Sequence, residues 1–350
     1  MAAHGSAAPW RAGAPTDHSI AWCSVDELDP QTRTVIMAMR GLWPDLGGGV
    51  TDVGDARRAV EALPDLGAPP EVGRVETRLI EDGDGGPMRV RIVWPLGVQA
   101  DARASVRHEP NLPVVVYFHG GGWVLGGLET HDHLVRELSN AVGAVVVSVD
   151  YRLAPEHPFP AAVHDAWAAT CYVAQHAAEL GADPGRVAVA GDSAGGNLAA
   201  VTALRAREER GPDLAYQLLI CPVTDCDLER PSYREPDECF FLTRTHMQWY
   251  WDLYVADPAR RTDPWCAPLR AEDLSGLPPA YVGTAELDPL RDEGREYAER
   301  MAASGGDVEH RCFAGLAHGF SNVSELLPPA AAANAAMFAA ARNALERAGS

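Results

Sequence analysis

The sequence predicts a mostly parallel, doubly wound α/β sheet, and three observations lead there. Short, nearly continuous apolar runs at 114–118, 144–149, 187–190 and 217–221 suit strands covered on both faces. Stretches with helical spacing fill the gaps between them. Two more strand-like runs, at 280–284 and 308–313, carry the alternation toward the C-terminus. Strands that alternate with helices of this length pair in parallel through crossover connections. The 350 residues suffice for one large domain or two smaller ones.

Taken in order, residues 1–15 are rich in Ala, Gly and Pro and read as a flexible leader. Over 25–40, Leu28, Val35, Ile36 and Met39 recur at helical spacing, with Asp26, Glu27 and Asp29 near the start, where the helix dipole favours acids. A Gly- and Pro-rich passage follows, with a short helix expected at 56–63. Residues 75–80 and 88–94 alternate apolar with polar around Asp82-Gly83-Asp84-Gly85-Gly86, which predicts a hairpin and an antiparallel edge. With it the sheet has eight strands.

Helices are expected at 133–142, 161–180, 197–210, 290–303 and 331–347. The last is alanine-rich, but Ala333, Met337, Phe338, Ala341 and Leu345 form one stripe, broken only by Asn334, so it should pack on the sheet. Between 225 and 279 the alternation stops. That insert is rich in aromatics (Phe240, Phe241, Trp249, Tyr250, Trp251, Tyr254) and too long for a structureless loop, so a helical element is expected there.

Composition narrows the function. Against 49 acidic residues stand 29 basic ones, all arginine, for a net charge of −20. So negative a surface repels phosphate backbones and anionic lipid. The absence of lysine excludes a Walker A phosphate loop, a pyridoxal Schiff base and a Ser-x-x-Lys acylase. Seven cysteines without a C-x-x-C pair fit neither a zinc knuckle nor a disulfide framework, which predicts reduced thiols in a cytoplasmic protein. No run is long and apolar enough for a signal sequence or a membrane span.

The chemistry gathers in four motifs. Gly191-Asp192-Ser193-Ala194-Gly195 follows a strand and opens a helix. A nucleophile on such a strained turn needs small neighbours, and the helix start aims backbone N–H groups at developing negative charge. His119-Gly120-Gly121-Gly122-Trp123 ends an earlier strand. Two N–H groups from its glycine run, with that of Ala194, would form an oxyanion hole. A serine hydroxyl also needs a base and an orienting acid, and the chain order Ser, acid, His is expected here. Three histidines follow Ser193. His246 falls in the insert and His310 along a strand, which leaves His318 in Gly315-Leu316-Ala317-His318-Gly319-Phe320. For the acid, Asp288 ends a strand, while Asp292 on the next helix and Glu286 are alternatives. His131, Asp132 and His133 read as a helix start at a cleft mouth, not as metal ligands.

These motifs, with Asp150-Tyr151-Arg152-Leu153-Ala154-Pro155-Glu156-His157-Pro158-Phe159-Pro160-Ala161-Ala162 and Asp288-Pro289-Leu290-Arg291-Asp292, resemble the hormone-sensitive-lipase family of α/β-hydrolase esterases, in its bacterial, GDSAG-type branch. The resemblance implies an α/β-hydrolase fold with a triad of Ser193, Asp288 and His318 and oxyanion donors Gly121, Gly122 and Ala194. It implies a catalytic domain at 71–225 and 263–350, N-terminal cap helices at 16–70 and a cap insert at 226–262. Trp123, Asp192, Phe241 and Trp249 are expected at the substrate pocket. The expected activity is hydrolysis of short to medium acyl esters through an acyl-enzyme, with no cofactor and no metal. An acyltransferase or amidase on the same site, and a non-catalytic small-molecule receptor, are the alternatives. The expected partner is a small-molecule ester, with no nucleic acid and no membrane span, and a homodimer is left open.

Overall fold

The computed structural model describes residues 11–12, 28, 30–64, 67–97, 112–235 and 241–349. Eight strands form the body of the sheet: β2 (Arg74–Glu81), β3 (Pro87–Trp94), β4 (Leu112–Phe118), β5 (Val145–Val149), β6 (Ala182–Asp192), β7 (Tyr216–Ile220), β8 (Ala280–Leu287) and β9 (Val308–Ala317). A two-residue strand, β1 (Arg11–Ala12), lies parallel to β9 and extends that edge, giving the order β1-β9-β8-β7-β6-β4-β5-β3-β2. Otherwise the expected leader lies outside the described residues, as do Phe240 and the acidic start of the first helix.

The hairpin forms as expected. Asp82 Oδ1 accepts the N–H groups of Asp84 and Gly86 at 2.8 Å, which fixes the turn, and β3 joins the sheet antiparallel to β5. The remaining ladders, from β5 through β9, are parallel. Successive side chains of a strand point to opposite faces, and β4 shows the result. Val114, Val116 and Phe118 face a core built with α4 (Ala161–His176), α5 (Ala194–Glu208) and α7 (Arg291–Ala303). Val115 and Tyr117 face a second core with α3 (Asp132–Val142) and α8 (Pro328–Ala348). The apolar stripe of α8 is buried as predicted. Its exception, Asn334, is also buried, and donates to Ser321 O at 3.0 Å and Glu137 Oε2 at 3.1 Å.

The aromatic insert supplies α6 (Arg244–Tyr254), capped by Thr243, whose hydroxyl accepts from His246 N. It meets the N-terminal segment, which holds α1 (Pro30–Leu42) and α2 (Val53–Glu61). Trp249 Nε1 donates to Thr51 O at 3.3 Å, and Trp43 meets Phe241 edge-on at 4.8 Å. Two segments far apart in sequence thus pack against each other.

Candidate active site

Ser193 sits where β6 gives way to α5, with φ 56° and ψ −118°, a conformation that side-chain-bearing residues rarely adopt. Its N–H donates to Ile220 O at 2.8 Å, and its carbonyl accepts from Asn197 N and Val223 N, so the turn is held from both sides. The glycines around it answer to close backbone approach. A Cβ on Gly195 would lie 1.9 Å from Phe118 O, and one on Gly191 would lie 2.3 Å from Gly195 C.

His318 follows the end of β9, and Asp288 the end of β8. His318 Nε2 lies 3.0 Å from Ser193 Oγ, and its Nδ1 lies 2.8 Å from Asp288 Oδ2. The other carboxylate oxygen of Asp288 accepts Leu290 N–H at 2.9 Å, and the residue is fully buried. The two alternatives are engaged elsewhere. Asp292 accepts Ser232 N–H at 2.9 Å, and Glu286 accepts Gly315 N–H at 2.7 Å. His310 lies on β9 against Thr284, and His246 on α6.

The glycine loop turns through three successive residues of positive φ: Gly121 (117°), Gly122 (60°) and Trp123 (60°). Its entrance is pinned by Asp192, whose Oδ1 accepts Gly120 N–H at 2.9 Å and also the Tyr117 hydroxyl at 2.5 Å. Burial works against the Asp192 charge, but His131, at 3.3 Å, and Tyr117 outweigh it and hold the carboxyl well below its usual range. The same anion, together with burial, pushes the Tyr117 hydroxyl up. His119 is fully buried and stacked on Tyr151 at 4.3 Å; burial lowers it to about 3 and keeps the ring neutral. His131, Asp132 and His133 disperse to different partners, Asp192, Arg91 and Glu325.

Of the four expected pocket residues, Asp192 is spent on the glycine loop and Trp123 is fully buried, stacked on Tyr254 at 4.1 Å. Phe241 is partly buried beside Trp43 and reaches toward Gly319, next to His318. Trp249 is buried against the N-terminal segment. Sequence reasoning did not single out Tyr250, whose ring lies where a Cβ of Gly122 would be, 2.1 Å from Cδ1. Nor did it single out Cys221, whose Sγ lies within 4.8 Å of ligand atoms of Asp288 and His318. Among the described residues this is the one trio that could hold a metal ion, and its carboxylate and imidazole already bond each other. Burial, with Asp288 alongside, drives the Cys221 thiol well up, so it stays protonated.

The signature of the alpha/beta hydrolase fold matches residues 115–322, more than half of the chain. The chain belongs to this family. Carboxylesterase NlhH of Mycobacterium tuberculosis is 46% identical over 289 residues, covering 81% of this chain and 85% of the relative. Esterase LipI of the same species is 45% identical over 275 residues, covering 78% and 83%. Among solved structures, a thermostable esterase from Pseudomonas putida superposes with a TM-score of 0.81 at 38% identity, covering 91% of this chain and 98% of that one. The resemblance to hormone-sensitive-lipase-type esterases therefore holds, and the chain is a carboxylesterase-type hydrolase.

Proposed function

We propose that this enzyme hydrolyses short- to medium-chain carboxylic esters through an acyl-enzyme on Ser193. The observation that carries the reading is the continuous hydrogen-bonded line from Ser193 Oγ through His318 to the buried Asp288 carboxylate, at 3.0 and 2.8 Å. His318 Nε2 takes the hydroxyl proton as Oγ bonds to the ester carbonyl carbon. Asp288, held by Leu290 N–H, fixes the imidazole tautomer and steadies the imidazolium.

The carbonyl oxygen becomes an oxyanion held by the N–H groups of Gly121, Gly122 and Ala194. None of these three donates in a backbone hydrogen bond among the described residues outside regular elements, which leaves them free for the ligand. His318 then protonates the departing alkoxide. Water, deprotonated by the same ring, cleaves the acyl bond and restores Ser193.

In this reading α1, α2 and α6 form a cap over the C-terminal ends of the strands, with Phe241, beside Gly319, and Tyr250, over Gly122, nearest the substrate. The cap limits acyl length. The five described cysteines are free thiols, consistent with a reducing, cytoplasmic setting. The test is kcat/KM across p-nitrophenyl esters from acetate to palmitate, with and without added alcohol. A maximum at short or medium chains, with free acid as product, supports the reading. A maximum at palmitate, or ester exchange outrunning hydrolysis, overturns it.

A further inference from the structure

The glycine loop is held at two ends. Asp192 grips its entrance through Gly120 N–H, and the exit is held by a side chain from a different part of the fold. Arg57, on α2, donates Nε to Val124 O at 3.0 Å and Nη2 to Ala154 O at 2.9 Å. Ala154 in turn donates its N–H to Trp123 O at 2.9 Å. One guanidinium therefore fixes the carbonyl of Val124 directly and is linked to that of Trp123 through one residue, Ala154. Both residues directly follow Gly121 and Gly122. The N–H groups of Val124 and Leu125 return to Gly121 O at 3.1 and 2.9 Å, so a shift of this turn reorients the glycine peptides themselves.

The guanidinium is itself oriented. Both Glu156 oxygens accept from it, at 2.7 and 2.8 Å, the two-pronged geometry that matches a planar fork to a carboxylate. Lysine has one ammonium and cannot reproduce all of these contacts. Beside Arg57, Ala56 of α2 is buried in the same apolar cluster as Trp123, Val124 and Leu125. Arg57, Val60 and Glu61 line a cavity of about 590 Å³ with Leu125, Gly126 and Leu153.

We infer that Arg57 is a positioning residue for ester hydrolysis: by bonding Val124 O and Ala154 O from α2, it holds the Gly121 and Gly122 N–H groups in register with Ser193 and ties that register to the seating of the N-terminal segment. The inference rests on the acyl-transfer reading above. It assigns Arg57 a role in the transition state and none in ground-state binding, because the guanidinium points at main-chain carbonyls behind the loop.

The test compares Arg57→Ala, Arg57→Lys and Glu156→Gln with the parent, using p-nitrophenyl butyrate turnover, thermal unfolding and the affinity for phenylboronic acid, which becomes tetrahedral on an active serine. Arg57→Ala is expected to lower kcat about 10- to 100-fold with KM within about twofold, and to weaken boronate binding in proportion. Arg57→Lys should recover part of the loss. Glu156→Gln keeps both carbonyl contacts and should cost less than about threefold.

Equal losses in Arg57→Ala and Glu156→Gln, unchanged kcat in Arg57→Ala, or a loss carried wholly by KM overturns the inference. If Arg57→Ala does not fold, the ordering of parent, Glu156→Gln and Arg57→Lys decides, since a mere ion pair would be hurt at least as much by Glu156→Gln. Failure of the underlying reading is distinct: the parent itself would then bind no boronate at Ser193.

Discussion

The contact between Tyr250 and Gly122 offers a sharp test of how α6 shapes the glycine loop. In Gly122→Ala the new Cβ would lie 2.1 to 2.5 Å from three ring carbons of Tyr250. Carbon atoms rest about 3.5–4.0 Å apart, so ring or loop must yield by roughly 1.5 Å. Tyr250 is 3% exposed and has little room to move. The overpacking costs about 1–3 kcal/mol, and the φ of 60° adds about 1–2 kcal/mol for a residue with a side chain. Tyr250→Ala alone removes a buried ring, at about 3–5 kcal/mol. In the double variant the clash is gone and only the backbone strain and lost ring remain. The double variant should thus be about 1–3 kcal/mol more stable than the sum of the single losses predicts. Urea unfolding of all four proteins measures this, and p-nitrophenyl butyrate turnover should recover alongside. Additivity to within about 0.5 kcal/mol would refute the packing argument.

Two further outcomes follow from the site. Asp288→Asn places an amide where both carboxylate oxygens accept hydrogen bonds, from His318 and from Leu290 N–H, and so favours the wrong imidazole tautomer; kcat should fall roughly 10⁴-fold, measured by steady-state turnover, with the fold retained by circular dichroism. His119 titrates near 6.5 when unfolded and at about 3 when folded, because burial disfavours its charge, so its contribution to stability is complete above pH 6.5 and is lost as pH falls toward 3, at about 1.4 kcal/mol per pH unit. Its ring resonances should stay those of a neutral imidazole at pH 5, with urea midpoints already lower there than at pH 7; a protonated ring at pH 5 would contradict this.

The parts of this molecule written in local pattern were legible, and the parts made by distant packing were not. The strands appear where apolar runs stand, because a parallel strand buried on both faces must be apolar throughout. β6 begins five residues before its apolar run, at Ala182, because the polar stretch before Val187 continues the strand and Ala182 pairs with Leu112 across a register shift. No periodicity announces that. Ser193, His318 and Asp288 were legible because turns after strands need glycine or proline, and such punctuation marks the rim where side chains meet. Trp123 is expected at the substrate pocket, yet with a positive φ it stacks on Tyr254, fully buried. Tyr250 over Gly122 and Arg57 on Val124 O join residues 128 and 67 positions apart. Nothing in either segment signals its partner. Only the fold brings them together.

The central claim is that Ser193 carries the acyl group. Parent enzyme mixed with p-nitrophenyl butyrate and quenched in acid within milliseconds should yield one peptide, containing Ser193, heavier by the butyryl group. The same peptide from Ser193→Ala should be unmodified, and turnover should vanish with it. An acyl group on any other residue, or ester hydrolysis that survives Ser193→Ala, would contradict the account.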